Sequence, residues 1–185
     1  MSKEQIEVEE EYSLKKAVFY SFAGFTDVIF LQFFTFLVFT FYFSIIELPA
    51  GLISVGFIIW AIWNAFNDPM LGAISDRSHF RMGRRKPFII IGIIPLLVIN
   101  ILLFTAPRGS DVLAFVYFLI IIIIWELFYT MYSLNQTSLF PEMFRDLDQR
   151  TKANNSIQFF QVISLLIAFL LPGFLIESFT SEAVP

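Results

Sequence analysis

Residues 112–139 read VLAFVYFLIIIIIWELFYTMYSLNQTSL, and in these 28 positions the one charged side chain is Glu126. An apolar run of 18 or more residues reads as a bilayer-spanning segment, and as a helix this one reaches about 42 Å at roughly 1.5 Å per residue. Four further stretches share its character: 17–46, 51–75, 87–106 and 157–179. Together the five take up about two thirds of the 185 residues, which leaves no room for a water-soluble domain. Composition agrees, since 57% of the chain is hydrophobic and only 15% is charged, against about 25% charged in soluble domains. Lipid leaves backbone groups no outside partner, so the spans are expected to be helices. The fold class is therefore all-α, a polytopic membrane protein with five transmembrane helices. The chain has no cysteine, which excludes disulfides, thiolate nucleophiles and thiolate-bound metal.

The ends and connections supply topology. Residues 1–16 form an acidic leader containing EQIEVEEEY, expected to be a solvated, weakly structured cytoplasmic tail. An acidic leader before a 30-residue apolar run does not fit a signal peptide, so the first helix is retained. Basic residues concentrate in cytoplasmic connections. With the N-terminus inside, Lys3, Lys15, Lys16, Arg77, Arg81, Arg84, Arg85, Lys86, Arg145, Arg150 and Lys152 all lie on the inner side, and Arg108 alone lies outside. Five crossings then place residues 180–185, TSEAVP, on the extracytoplasmic side, at the end of a chain that is expected to be truncated.

An ionisable residue within a span is expensive and marks function by default. Asp27 in the first helix, Asp68 in the second and Glu126 in the fourth meet that description. Helical rise places Asp27 and Asp68 about 15 and 12 Å from the inner ends of their helices. Asn64 and Asp68 are four apart and share a face; Glu126, Thr130, Ser133 and Thr137 form one stripe by their 4-3-4 spacing. A polar layer from three helices at similar depth is the geometry of an internal solute or ion site. Taken singly, the hydroxyls of Thr130, Ser133 and Thr137 have a plainer role, bonding their own helix or a neighbour. Trp60, Trp63 and Trp125 sit inside spans, where packing is the first role and stacking on a sugar ring the second.

The connection between the second and third helices is the most specific segment, with Asp68-Pro69, Gly72, Asp76-Arg77 and Gly83-Arg84-Arg85-Lys86-Pro87. Gly72 permits close approach of a neighbouring helix. Asp76 falls at a helix C-terminus, where a carboxylate opposes the dipole unless a cation or another helix's N-terminus pairs with it. A charge-paired latch of this kind suits a conformational gate. Pro69 frees a backbone carbonyl beside Asp68.

These residues, from Asn64-Ala65-Phe66-Asn67-Asp68-Pro69 through Gly83-Arg84-Arg85-Lys86-Pro87, resemble the signature loop of the major facilitator superfamily. More narrowly they are similar to the glycoside-pentoside-hexuronide:cation symporters, the melibiose permease-like group. Ser138-Leu139-Phe140-Pro141-Glu142-Met143, with Asp146 and Arg150, is a second family-like stretch. The resemblance implies a secondary active transporter, with Na+ or H+ driving symport of a sugar or related organic solute, no further cofactor and no enzymatic activity. It also implies that the five helices are most of the N-terminal six-helix half. The other half, or a second subunit, would complete the solute path in the cell membrane. By the resemblance, Asp68, Asn64 and Thr130 hold the cation, Asn64 standing where the family has an acid. Asp27 contacts solute, and Ser133, Thr137 and Gln158 stand where the family has an acid, a tryptophan and an arginine. Glu126 is placed with the solute-facing group. Gly72, Asp76, Arg77, Gly83, Arg84 and Arg85 form the gating motif. Those departures weaken the case for galactosides, and a half-size oligomerising subunit, or a relative that carries a lipid or drug, stands as the alternative.

Overall fold

The computed structural model describes residues 3–175, with side chains from 15 to 170. Among the described residues the chain is helical throughout, in the order α1 (Lys3–Gln32), a π-helical turn (Phe33–Val38), α2 (Phe39–Ser44), α3 (Ala50–Arg77), α4 (Lys86–Leu102), α5 (Asp111–Met143) and α6 (Leu147–Leu175). Four segments are long and apolar enough to cross a membrane: Lys15–Ser44, Ala50–Arg77, Asp111–Met143 and Leu147–Leu170. The expected third span is shorter, 17 residues in α4, which corresponds to about 26 Å and lies at the low end for a spanning helix.

Three boundaries differ from the sequence reading. The acidic leader is helical from Lys3, because Glu, Gln and Lys are good helix formers and carboxylates near a helix N-terminus complement its dipole. The polar connection expected over 140–156 shrinks to three residues, since α5 continues to Met143 and α6 begins at Leu147. Asp146 starts α6 by accepting the Asp148 N–H on its side chain, at 3.2 Å, and Lys152 pairs with Asp148 one turn on, at 3.4 Å. The residues after 175, including the expected end of the fifth span and 180–185, lie outside the described residues.

The chain divides into two units, residues 1–33 with 140–175, and residues 34–139. In the first, α1 packs along α6. Phe22 meets Phe160 with ring centres 5.0 Å apart, Tyr20 meets Phe140 and Phe144, and the Ser164 hydroxyl reaches the Phe25 carbonyl at 3.0 Å.

The second unit holds the π-helical turn, α2, α3, α4 and most of α5. Its centre is aromatic: Phe34 stacks on Trp125 at 4.0 Å, and Trp125 stacks on Tyr129 at 4.6 Å. Trp125 is fully buried, so it packs, as the sequence reading expected of it. Helix α4 meets the backbone of α5 at Gly92, where a Cβ would come to 3.0 Å from the Phe128 carbonyl oxygen. Small residues at such crossings let backbones touch without side-chain interference. The sequence reading looked for this at Gly72, but a Cβ there would meet Leu134 at an ordinary 3.7 Å.

Candidate functional site

Two faces create the site. Trp60, Asn64 and Asp68 repeat every four residues on α3, so one stripe of that helix carries an indole N–H, an amide and a carboxylate. Glu126, Thr130, Ser133 and Thr137 do the same on α5. Where the stripes meet they enclose a cavity of about 280 Å³, lined by Asn64, Asp68, Glu126, Tyr129, Thr130, Ser133, Leu134, Thr137 and Ser138. That volume lies just below the usual range for small-molecule pockets, roughly 300 to 1,000 Å³. The structure thus brings together six of the expected site residues: Asn64, Asp68, Glu126, Thr130, Ser133 and Thr137.

Hydrogen bonding ranks them. The Thr130 hydroxyl stands 2.9 Å from Asp68 Oδ1 and 3.0 Å from Glu126 Oε1. Asn64 Nδ2 donates to Glu126 Oε1 at 2.5 Å, and Trp60 Nε1 donates to Glu126 Oε2 at 2.6 Å. Glu126 is 1% exposed. The sequence reading left Glu126 among the solute-facing residues with no partner in view, but its carboxylate is gripped from both sides by α3 and tied to Asp68 through one hydroxyl. None of the residues that line the cavity is basic. Two carboxyl groups therefore share one cavity whose other polar groups are neutral.

Asn67 and Trp60 take hydrogen-bonding roles at Glu126 that sequence reasoning did not assign them. Asn67 is fully buried, its Nδ2 donates to the Glu126 carbonyl at 3.3 Å, and its Oδ1 has no hydrogen-bond partner. A buried amide beside Asp68 was visible as a signal, because unpaired polar atoms in a membrane interior cost about 1 to 3 kcal/mol each. The role of Trp60 was not visible, since its indole serves packing and hydrogen bonding at once: the ring lies 5.2 Å from Phe34 while its N–H reaches Glu126.

The remaining expected residues lie elsewhere. Asp27, half-buried on α1, and Gln158, exposed on α6, belong to the first unit. At the loop end of α3, Asp76 pairs with Arg85 at 3.0 Å, which selects Arg85 among the cations that the sequence offered. Gly83 adopts φ +91°, the left-handed region that turns the chain toward α4. Between this pair and the cavity, the buried Ser75 hydroxyl donates to Asn135 Oδ1, and Asn135 Nδ2 donates back to the Met131 carbonyl at 2.9 Å, which joins α3 to α5.

The family described as MFS/sugar transport protein matches residues 19–183. An uncharacterized symporter of Synechocystis is 31% identical over 130 residues, covering 67% of this chain and 24% of that protein. An isoprimeverose transporter of Lactiplantibacillus pentosus is 26% identical, covering 72% of this chain and 28% of its own. A putative glycoside/cation symporter of Escherichia coli is 32% identical, covering 51% and 21%. The chain spans from 17% to 36% of the length of the curated relatives it matches.

Proposed function

The chain belongs to the MFS/sugar transport protein family, and from that premise we propose that it forms one wall of a secondary active transporter coupling cation entry to uptake of a sugar or related solute. The observation that carries this reading is the cavity itself. Asp68 and Thr130 converge at one end, and Ser133 and Thr137 continue the α5 stripe along the same wall. A cation held at Asp68 and Thr130, beside Asn64, neutralises the carboxylate charge, and the hydroxyls of Ser133 and Thr137 face the solute; Asp27 and Gln158, which the family resemblance gives to the solute, belong to the other unit. Hard oxygen donors suit Na+, and a carboxylate in the same place suits H+.

Coupling follows from electrostatics. A wall with an uncompensated buried charge resists the dry, closed intermediate of transport, and the cation removes that penalty. The basic connections favour a cytoplasmic N-terminus; in that orientation the Asp76–Arg85 pair opens and closes at the inner surface as the gate, with Gly72, Arg77, Gly83 and Arg84 completing the loop. The opposite wall comes from further chain or a second subunit, as alternating access between two halves requires. Transporters with isoprimeverose and glycosides in their names are among the relatives, which favours glycosides as first solutes to try. The test is uptake of labelled isoprimeverose and lactose into vesicles holding the full-length protein, under an imposed Na+ or H+ gradient. Accumulation that collapses when the gradient is dissipated is expected; equal uptake with and without any gradient would sink the reading.

A further inference from the structure

Resting on the symport reading, we propose that Glu126 supplies the second negative charge of the coupling-cation site, and that Trp60 and Asn64 are its positioning residues, so that Asn64 is not itself a ligand. A hydroxyl carries one proton. Thr130 Oγ1 lies within 3.0 Å of a carboxylate oxygen on each side, so its proton satisfies one of them and leaves an oxygen–oxygen contact of equal length on the other. A bound proton or metal cation closes that second contact, and either one would sit between Asp68 and Glu126. The pair is two carboxyl groups from two helices, bridged by one hydroxyl, with no basic residue in the cavity wall.

The donors on α3 explain why Glu126 holds its place. Trp60 and Asn64, one helical turn apart, each fix one carboxylate oxygen. The Asn67 amide holds the Glu126 carbonyl as well, so side chain and backbone are clamped to the same face of α3. The indole N–H cannot accept a hydrogen bond and the Asn64 N–H₂ faces an anion; both groups are oriented to serve a carboxylate, not to bind a cation. The acid–amide pair therefore spans the two helices, with the acid on α5 and the amide on α3.

The experiment follows thermal stability of the full-length protein as NaCl replaces choline chloride at constant ionic strength, and as pH varies in choline alone, because an ion bound by the folded state raises the unfolding temperature with concentration. Glu126→Gln is expected to shift the cation midpoint by about tenfold or more, as loss of one buried charge of a pair should. Trp60→Phe, which keeps the ring against Phe34, is expected to weaken it by roughly threefold, about the worth of one hydrogen bond. The double variant Asn64→Asp/Glu126→Gln exchanges acid and amide across the 2.5 Å contact and is expected to restore most of the response. If Glu126→Gln alone fails to fold, the double variant and Trp60→Phe decide the question. A wild-type response that Glu126→Gln leaves unchanged overturns this inference alone, and so does a double variant that folds without recovering it. A wild type that answers to neither Na+ nor pH overturns the symport reading beneath it.

Discussion

Helix α3 carries two aspartates eight residues apart, and they live in different solvents. Asp68 faces a pocket whose lining residues are all neutral or acidic. Asp76, 56% exposed at the loop end, is paired with Arg85. The same side chain on the same helix thus meets a permanent cation in one place and a set of hydroxyl and amide groups in the other. Near water an ion pair is weak and replaceable, worth about 0 to 1 kcal/mol. In the membrane interior a carboxylate with no fixed partner must recruit a charge. The first arrangement suits a latch that opens; the second suits a site that loads and unloads.

Four substitutions break or sharpen that contrast. The largest effect is expected at the inner member: Asp68→Asn should lower apparent cation affinity by roughly a hundredfold or more, the scale of about 3 to 5 kcal/mol for one member of a buried charge set, read as lost gradient-driven accumulation in vesicles. Next comes the crossing that holds α4 against α5 behind the pocket. Gly92→Leu forces a side chain against the Phe128 carbonyl and should destabilise the protein by about 1 to 3 kcal/mol or more, seen as a fall in unfolding temperature. Next to Asp76 in sequence, Ser75→Ala leaves the buried Asn135 Oδ1 without its donor, at a cost of about 1 to 3 kcal/mol, again in the melting temperature and with cation affinity little changed. Smallest is Asp76→Asn, which should alter stability by at most about 1 kcal/mol and lose even that effect in high salt, where exposed charges are screened; its mark should fall on transport rate. If Asp76→Asn proved as damaging to cation affinity as Asp68→Asn, the separation of latch from site would fail.

The polar stripe on α5 was legible because a helix has a fixed period: Glu126, Thr130, Ser133 and Thr137 must lie on one face wherever that helix goes. Asn64 and Asp68 were legible for the same reason. That Glu126 meets Trp60 and Asn64 was not, since these partners are more than 60 residues away and are reached only at one rotation and one register of α5 against α3. The choice of Arg85 over its neighbours had the same origin, as did the crossing at Gly92 in place of Gly72. The start of α6 was missed for a different reason: Asp146 is a local cap, hidden in a polar segment that hydropathy assigns to a loop.

By itself the sequence determined that this is a helical membrane protein, which stretches cross, and which side chains are too polar for lipid, because transfer of a segment from water to hydrocarbon depends on the residues of that segment alone. Tertiary structure alone decided which of those polar groups meet. A hydrogen bond between helices needs two atoms within about 3 Å, and a difference of one residue in helix rotation, about 100°, separates a carboxylate in the pocket from one in the lipid.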